Sequence, residues 1–117
     1  MSFEKWINSL LSDIPDSAIA FNLNLYETDS QEIFEAQLVG CDQYDVYDED
    51  WACNTIYSSG ENIYEFTAQD WEDGLNKMID EFKKYLSVSD ADNKIKKAEY
   101  ITVGFIDGNL EPVFSIH

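Results

Sequence analysis

The sequence predicts an α+β domain over residues 1–117, an antiparallel sheet of about five to six strands with two amphipathic helices packed on one face. Three observations predict it. Two separated stretches repeat apolar residues at helical spacing, the segments between and after them alternate apolar with polar residues, and turn-forming residues punctuate that alternation at short intervals. At 117 residues, 44% apolar and 15% aromatic, the chain suffices for one hydrophobic core and leaves no room for a second domain.

Ser2 caps a helix whose apolar stripe is Phe3, Trp6, Ile7, Leu10, Leu11 and Ile14, and Pro15 stops it. Ile19 to Glu27 then alternates, with Ile19, Phe21, Leu23 and Leu25 on one side and Ala20, Asn22, Asn24 and Tyr26 on the other. Thr28-Asp29-Ser30 turns the chain into a second strand, Gln31 to Cys41. Phe34, Ala36 and Leu38 face its core side and Glu35 and Gln37 its wet side, so the two strands form a hairpin. Trp51 to Tyr57 reads as a third strand with Trp51, Cys53, Thr55 and Tyr57 on one face. After the turn Ser58-Ser59-Gly60-Glu61-Asn62, a short strand from Ile63 to Phe66 pairs back on it.

Thr67 and Asp70, spaced as a capping box, open the second helix, whose apolar positions are Trp71, Leu75, Met78, Ile79, Phe82 and Leu86. Asp70, Glu72 and Asp73 early and Lys83 and Lys84 late complement its dipole. Trp6 and Trp71, both on helical stripes, are expected in the core. Ser87 to Glu99 is a polar loop. Tyr100 to Ile106, a turn at Asp107-Gly108, and Leu110 to Ile116 close the fold as a hairpin, whose last strand contains Pro112 and therefore lies at an edge or breaks there.

Charge narrows the function classes. The chain has twenty-four acids, seven lysines, no arginine and a net charge of −17, and from Trp6 to Asn76 it carries sixteen acids and no basic residue. Such a field draws cationic partners and repels nucleic-acid phosphates, so a cationic protein partner is expected and no nucleic acid. The first residues do not read as a signal peptide and no stretch reaches the ~18 apolar residues of a membrane span, which points to a cytoplasmic protein with no membrane partner.

Catalytic constellations are hard to assemble from what remains. The only histidine, His117, is the last residue, no arginine can clamp a phosphate, and the five glycines stand apart from one another. No enzyme activity, cofactor or metal is expected. The alternative is a carboxylate-based metal-binding protein or enzyme, for which acids are plentiful, although their spacing does not match a calcium loop. A homodimer formed through an uncovered sheet face is a further alternative.

The most unusual stretch is Asp42-Gln43-Tyr44-Asp45-Val46-Tyr47-Asp48-Glu49-Asp50-Trp51, with five carboxylates, three aromatic rings and no cation. Rings amid charge favour protein recognition, because a rigid amphipathic ring gives contact area at low entropic cost. Asp42, Tyr44, Asp45, Tyr47, Asp48, Glu49, Asp50 and Trp51 are the candidate partner-binding residues. Trp51 has two readings, an anchor in the core or a surface hot spot ringed by charge, and the acidic run itself has a plainer one as a solvated loop. If the wet sheet face adjoins the loop, Asn22, Asn24, Glu35 and Gln37 extend this surface. Cys41 and Cys53 flank the stretch; a disulfide would close it, but in a reducing compartment both read as buried small hydrophobes.

In these features the chain resembles the small immunity proteins of bacterial polymorphic-toxin and contact-dependent inhibition systems. The residues that carry the resemblance are the run from Tyr44 to Cys53 and the short hairpin at Gly104-Phe105-Ile106-Asp107-Gly108. The resemblance implies a protein that neutralises a cognate toxin by binding it, with carboxylates standing where a nuclease would place phosphates.

Overall fold

The computed structural model describes residues 1–116; His117, the residue on which the absence of a histidine-based site turned, lies outside the described residues. Ser2 caps helix α1 (Phe3–Leu10) by accepting the Lys5 N–H, and a 3₁₀ turn (Leu11–Asp13) follows. Strands β1 (Ala20–Glu27), β2 (Ile33–Cys41), β3 (Tyr57–Ser58) and β4 (Tyr64–Thr67) come next, then helix α2 (Trp71–Val88), β5 (Tyr100–Phe105) and β6 (Glu111–Ser115). The α+β class is as expected.

The sheet is mixed rather than wholly antiparallel. Its order is β3-β2-β1-β5-β6, and β4 shares with β3 the outer edge of β2. β1 and β2 form the expected hairpin, with Leu23 opposite Leu38, but β1 and β5 run parallel, Leu23 opposite Val103. The physical reason is the long connection: α2 crosses one face of the sheet and returns the chain along the free side of β1 in the same direction. β6 lies at the edge, as Pro112 requires, and its register shifts between Ile101 and Thr102.

Residues 51–57 do not form the third strand that their alternation suggests. Glu49–Cys53 is a 3₁₀ turn and only Tyr57–Ser58 joins the sheet. Correspondingly, β4 pairs with β2 and not with β3, because the Ser58–Asn62 turn sets the two short strands end to end along one partner. Gly60, the only positive-φ residue described, makes that turn possible.

One face of the sheet buries Phe21, Leu23, Leu25, Phe34, Leu38, Ile101 and Val103 beneath the two helices. Each large side chain buried there stabilises the fold by about 1.5–3 kcal/mol. Phe3 meets Phe82 and Tyr64 edge-on at 5.6 and 5.5 Å, and Trp6 donates its indole N–H to Asn62. The cap of α2 is Asp70, three residues later than the box that begins at Thr67. Asp70 accepts from the Asp73 N–H at 2.8 Å and Asp73 accepts from the Gln69 N–H at 2.9 Å. Trp71 therefore opens the helix at the end of the sheet, against Phe105 at the end of β5, and is 54% exposed, contrary to its expected place in the core. The segment after α2 is less loose than its polarity suggests: Ile95 and Ala98 are buried, Lys96 caps the Leu86 carbonyl, and Lys94 donates to the Ile14 carbonyl at 2.6 Å.

Candidate functional site

The acidic stretch folds back over the second face of the sheet. There Ala20, Cys41 and Tyr100 form a small apolar floor, and Trp51, 5% exposed, packs onto it. The Trp51 and Tyr100 rings stand 5.7 Å apart, and the Cys41 thiol donates to the Trp51 carbonyl at 3.4 Å. Trp51 is thus the anchor of the stretch and not part of its exposed surface, which corrects its inclusion among the contact residues. The 3₁₀ turn that carries the ring is capped by Asp48, which accepts the Asp50 N–H, and it lays the ring onto this floor.

Two further ties hold the segment. Tyr44, half-buried, stacks on Tyr100 with centroids 5.3 Å apart, and its hydroxyl donates to Glu99 at 3.0 Å. Burial of its ring, with the Glu99 bond and charge beside it, raises the Tyr44 phenol above its ordinary value. The Glu49 carboxylate accepts the Leu110 N–H at 2.7 Å, fastening the far end of the stretch to the turn before β6. Glu99, Tyr100 and Leu110 were not identifiable as partners from their own surroundings in sequence, because they come from the last quarter of the chain.

Between these ties the acids face water. Asp42, Asp45, Asp48, Glu49 and Asp50 are exposed, and Tyr47 is 96% exposed at the crest. Asp45 accepts from the Tyr47 N–H at 2.9 Å and Asp48 from the Asp50 N–H at 3.0 Å, so two of the carboxylates also shape the turns that display them. Among the described residues the only ion pairs are Lys77 with Asp73 and Lys94 with Asp16. No lysine lies on a strand or in this loop; all seven belong to α1, α2 or the segment after α2. The five carboxylates of the loop therefore repel one another with no internal cation to offset them.

The adjoining wet face is partly closed. Asn22, expected in solvent, is buried: it accepts from the Thr102 hydroxyl at 2.7 Å and donates onward to Asn24 at 2.5 Å. Asn24, Glu35 and Gln37 are half-buried, and Gln37 donates to the Gly60 carbonyl and accepts from Tyr26. The extension of the surface across the sheet is thus interrupted at Asn22.

Cys41 is buried, as expected, whereas Cys53 is exposed, and neither is in a disulfide. Burial, reinforced by the nearby Asp42 and Cys53 charges, raises the Cys41 thiol to about 11, which leaves it protonated and unreactive at neutral pH. Among the described residues no three carboxylates or thiols converge to hold a metal ion, and no helix is long and apolar enough to cross a membrane. No family model, no curated protein and no solved structure matches the chain.

Proposed function

We propose that this chain is a non-catalytic acidic binding protein, an immunity protein that neutralises a cognate cationic toxin, a nuclease among the candidates, by docking it on the loop from Asp42 to Asp50. The observation that carries the reading is the loop itself: five exposed carboxylates and the bare Tyr47 ring held on a sheet face by buried anchors, with no cation paired to them among the described residues. A solvated loop needs no buried tryptophan and no side-chain ties to two other segments. A docking loop does, because ordering it beforehand lowers the entropic cost of association. Asp42, Tyr44, Asp45, Tyr47, Asp48, Glu49 and Asp50 supply the contact surface and Trp51 supports it from beneath.

The test uses the product of the neighbouring reading frame as partner. Co-expression should relieve its toxicity, and purified partner should bind with an affinity that falls as salt rises. Replacing Asp45, Asp48 and Asp50 together by asparagine should weaken binding at least tenfold, since close interfacial charge pairs couple by ~1.5–7 kcal/mol, and should flatten the salt dependence. Undiminished binding by that folded variant refutes the assignment.

A further inference from the structure

Trp71 is the one tryptophan that the core leaves out, for Trp6 is 1% and Trp51 5% exposed while Trp71 is 54% exposed. Its indole meets Phe105 at a right angle, with centroids 6.4 Å and planes 87° apart. The rest walls a cleft of about 430 Å³ that Leu75 and the carboxylates of Glu27, Asp107 and Glu111 complete. A second cleft, of about 340 Å³, lies beside the same indole and shares Glu27 with the first. No lysine lines either cleft, and none of the three carboxylates is in an ion pair among the described residues.

The acidic loop packs on the opposite face of the sheet, and the segment before β6 links it to this groove. Leu110, whose N–H is held by Glu49, lies between Asn109 and Glu111, both of which line the first cleft. Gly104 permits that course, because a Cβ there would stand 2.6 Å from the Asn109 carbonyl oxygen and 3.1 Å from the Leu110 side chain.

We propose that this groove takes an extended, arginine-bearing segment of the protein partner, one guanidinium lying on the Trp71 indole with its charge toward Glu27, Asp107 and Glu111. An indole face attracts a cation, and a guanidinium can stack on it while offering two N–H groups to a carboxylate. The positive end of the α2 dipole would oppose this, but Asp70, Glu72 and Asp73 occupy that terminus. An extended segment sets alternate side chains about 7 Å apart on one side, so it fills adjoining clefts together where a single small amine fills one. The inference rests on the binding-protein reading for the nature of the partner, and it adds a contact which that reading does not contain.

The test follows the Trp71 indole N–H by NMR in the full chain, with Trp6 and Trp51 as internal controls. The probes are a blocked Gly-Arg-Gly-Arg-Gly peptide, its citrulline counterpart, and spermine. The arginine peptide should shift the Trp71 signal saturably and the uncharged citrulline peptide should not. Combining Glu27→Gln, Asp107→Asn and Glu111→Gln should weaken the response about tenfold, the summed effect of three exposed charges. If that variant does not fold, Glu27→Gln and Glu111→Gln singly should each weaken it about twofold. An unmoved signal, an equal response to citrulline, an undiminished response in the folded variants, or tighter binding of spermine than of the peptide overturns the inference. Failure of the immunity reading is separate: Asp45→Asn, Asp48→Asn and Asp50→Asn would then leave toxin binding unchanged while the Trp71 shift persists.

Discussion

The phenol of Tyr44 reaches across fifty-five residues to donate to Glu99 at 3.0 Å, while its ring lies on that of Tyr100, the planes 20° apart. Glu99, just before β5, and Tyr100, its first residue, therefore clamp the entry to the acidic loop. Tyr44→Phe keeps the ring and removes the hydroxyl, and should lower stability by about 1 kcal/mol, because a partly wet hydrogen bond contributes little net. The urea midpoint should fall with the slope unchanged.

Trp51 carries more of the loop's order. Trp51→Ala should cost about 3 kcal/mol, the lower end for a large aromatic truncation, because the small cluster around it can partly collapse. Amide exchange should accelerate from Asp42 to Asn54 while β1, β2 and β5 keep their protection. Equal loss of protection across the whole sheet would show that the loop and core unfold as one unit.

Alkaline pH should unfold the protein cooperatively. Tyr44, Tyr57, Tyr64, Tyr85 and Tyr100 all have phenols raised above the ordinary 10.0, burial being the largest cause in each, and Cys41 is raised from 9.0 to about 11. Folding favours the neutral forms, so their stabilisation is fully present below the unfolded values and is lost as pH climbs through the folded ones. Phenolate absorbance should rise steeply together with loss of the folded circular dichroism. At neutral pH one thiol, that of Cys53, should react with a maleimide in the native protein and two in denaturant.

Local periodicity made much of this fold legible. The stripe of α1, the alternation of β1 and β2, and the edge placement that Pro112 demands are properties of neighbouring residues, and the structure has them. Trp71 misled because helical spacing identifies a face but not how fully a residue at the helix end is covered, and Trp71 at the end of the sheet is only partly covered, against Phe105. The run from Trp51 to Tyr57 misled for a related reason: Trp51 packs on Tyr100, forty-nine positions away, a contact that local alternation does not encode. The acidic stretch was visible as composition, whereas its ties to Glu99, Tyr100 and Leu110 depend on non-local pairing that no local pattern encodes. The cleft at Trp71 joins Glu27 at the end of β1 to Asp107 and Glu111 of the last hairpin, eighty or more residues on, and was illegible for the same reason.

The parallel pairing of β1 with β5 also bears on how the protein is made. Asn22 and Thr102, hydrogen-bonded at the centre of the sheet, are eighty residues apart, so this junction closes the longest loop of any strand pairing described. Such a closure is entropically expensive and tends to come late, which places the domain among slower folders of its size. On the ribosome β1 emerges well before its β5 neighbour exists, and until then the nascent hairpin presents an apolar strand with one side unclaimed. A chain truncated before Tyr100 would keep that vulnerability permanently, and aggregation of such a fragment is the expected result.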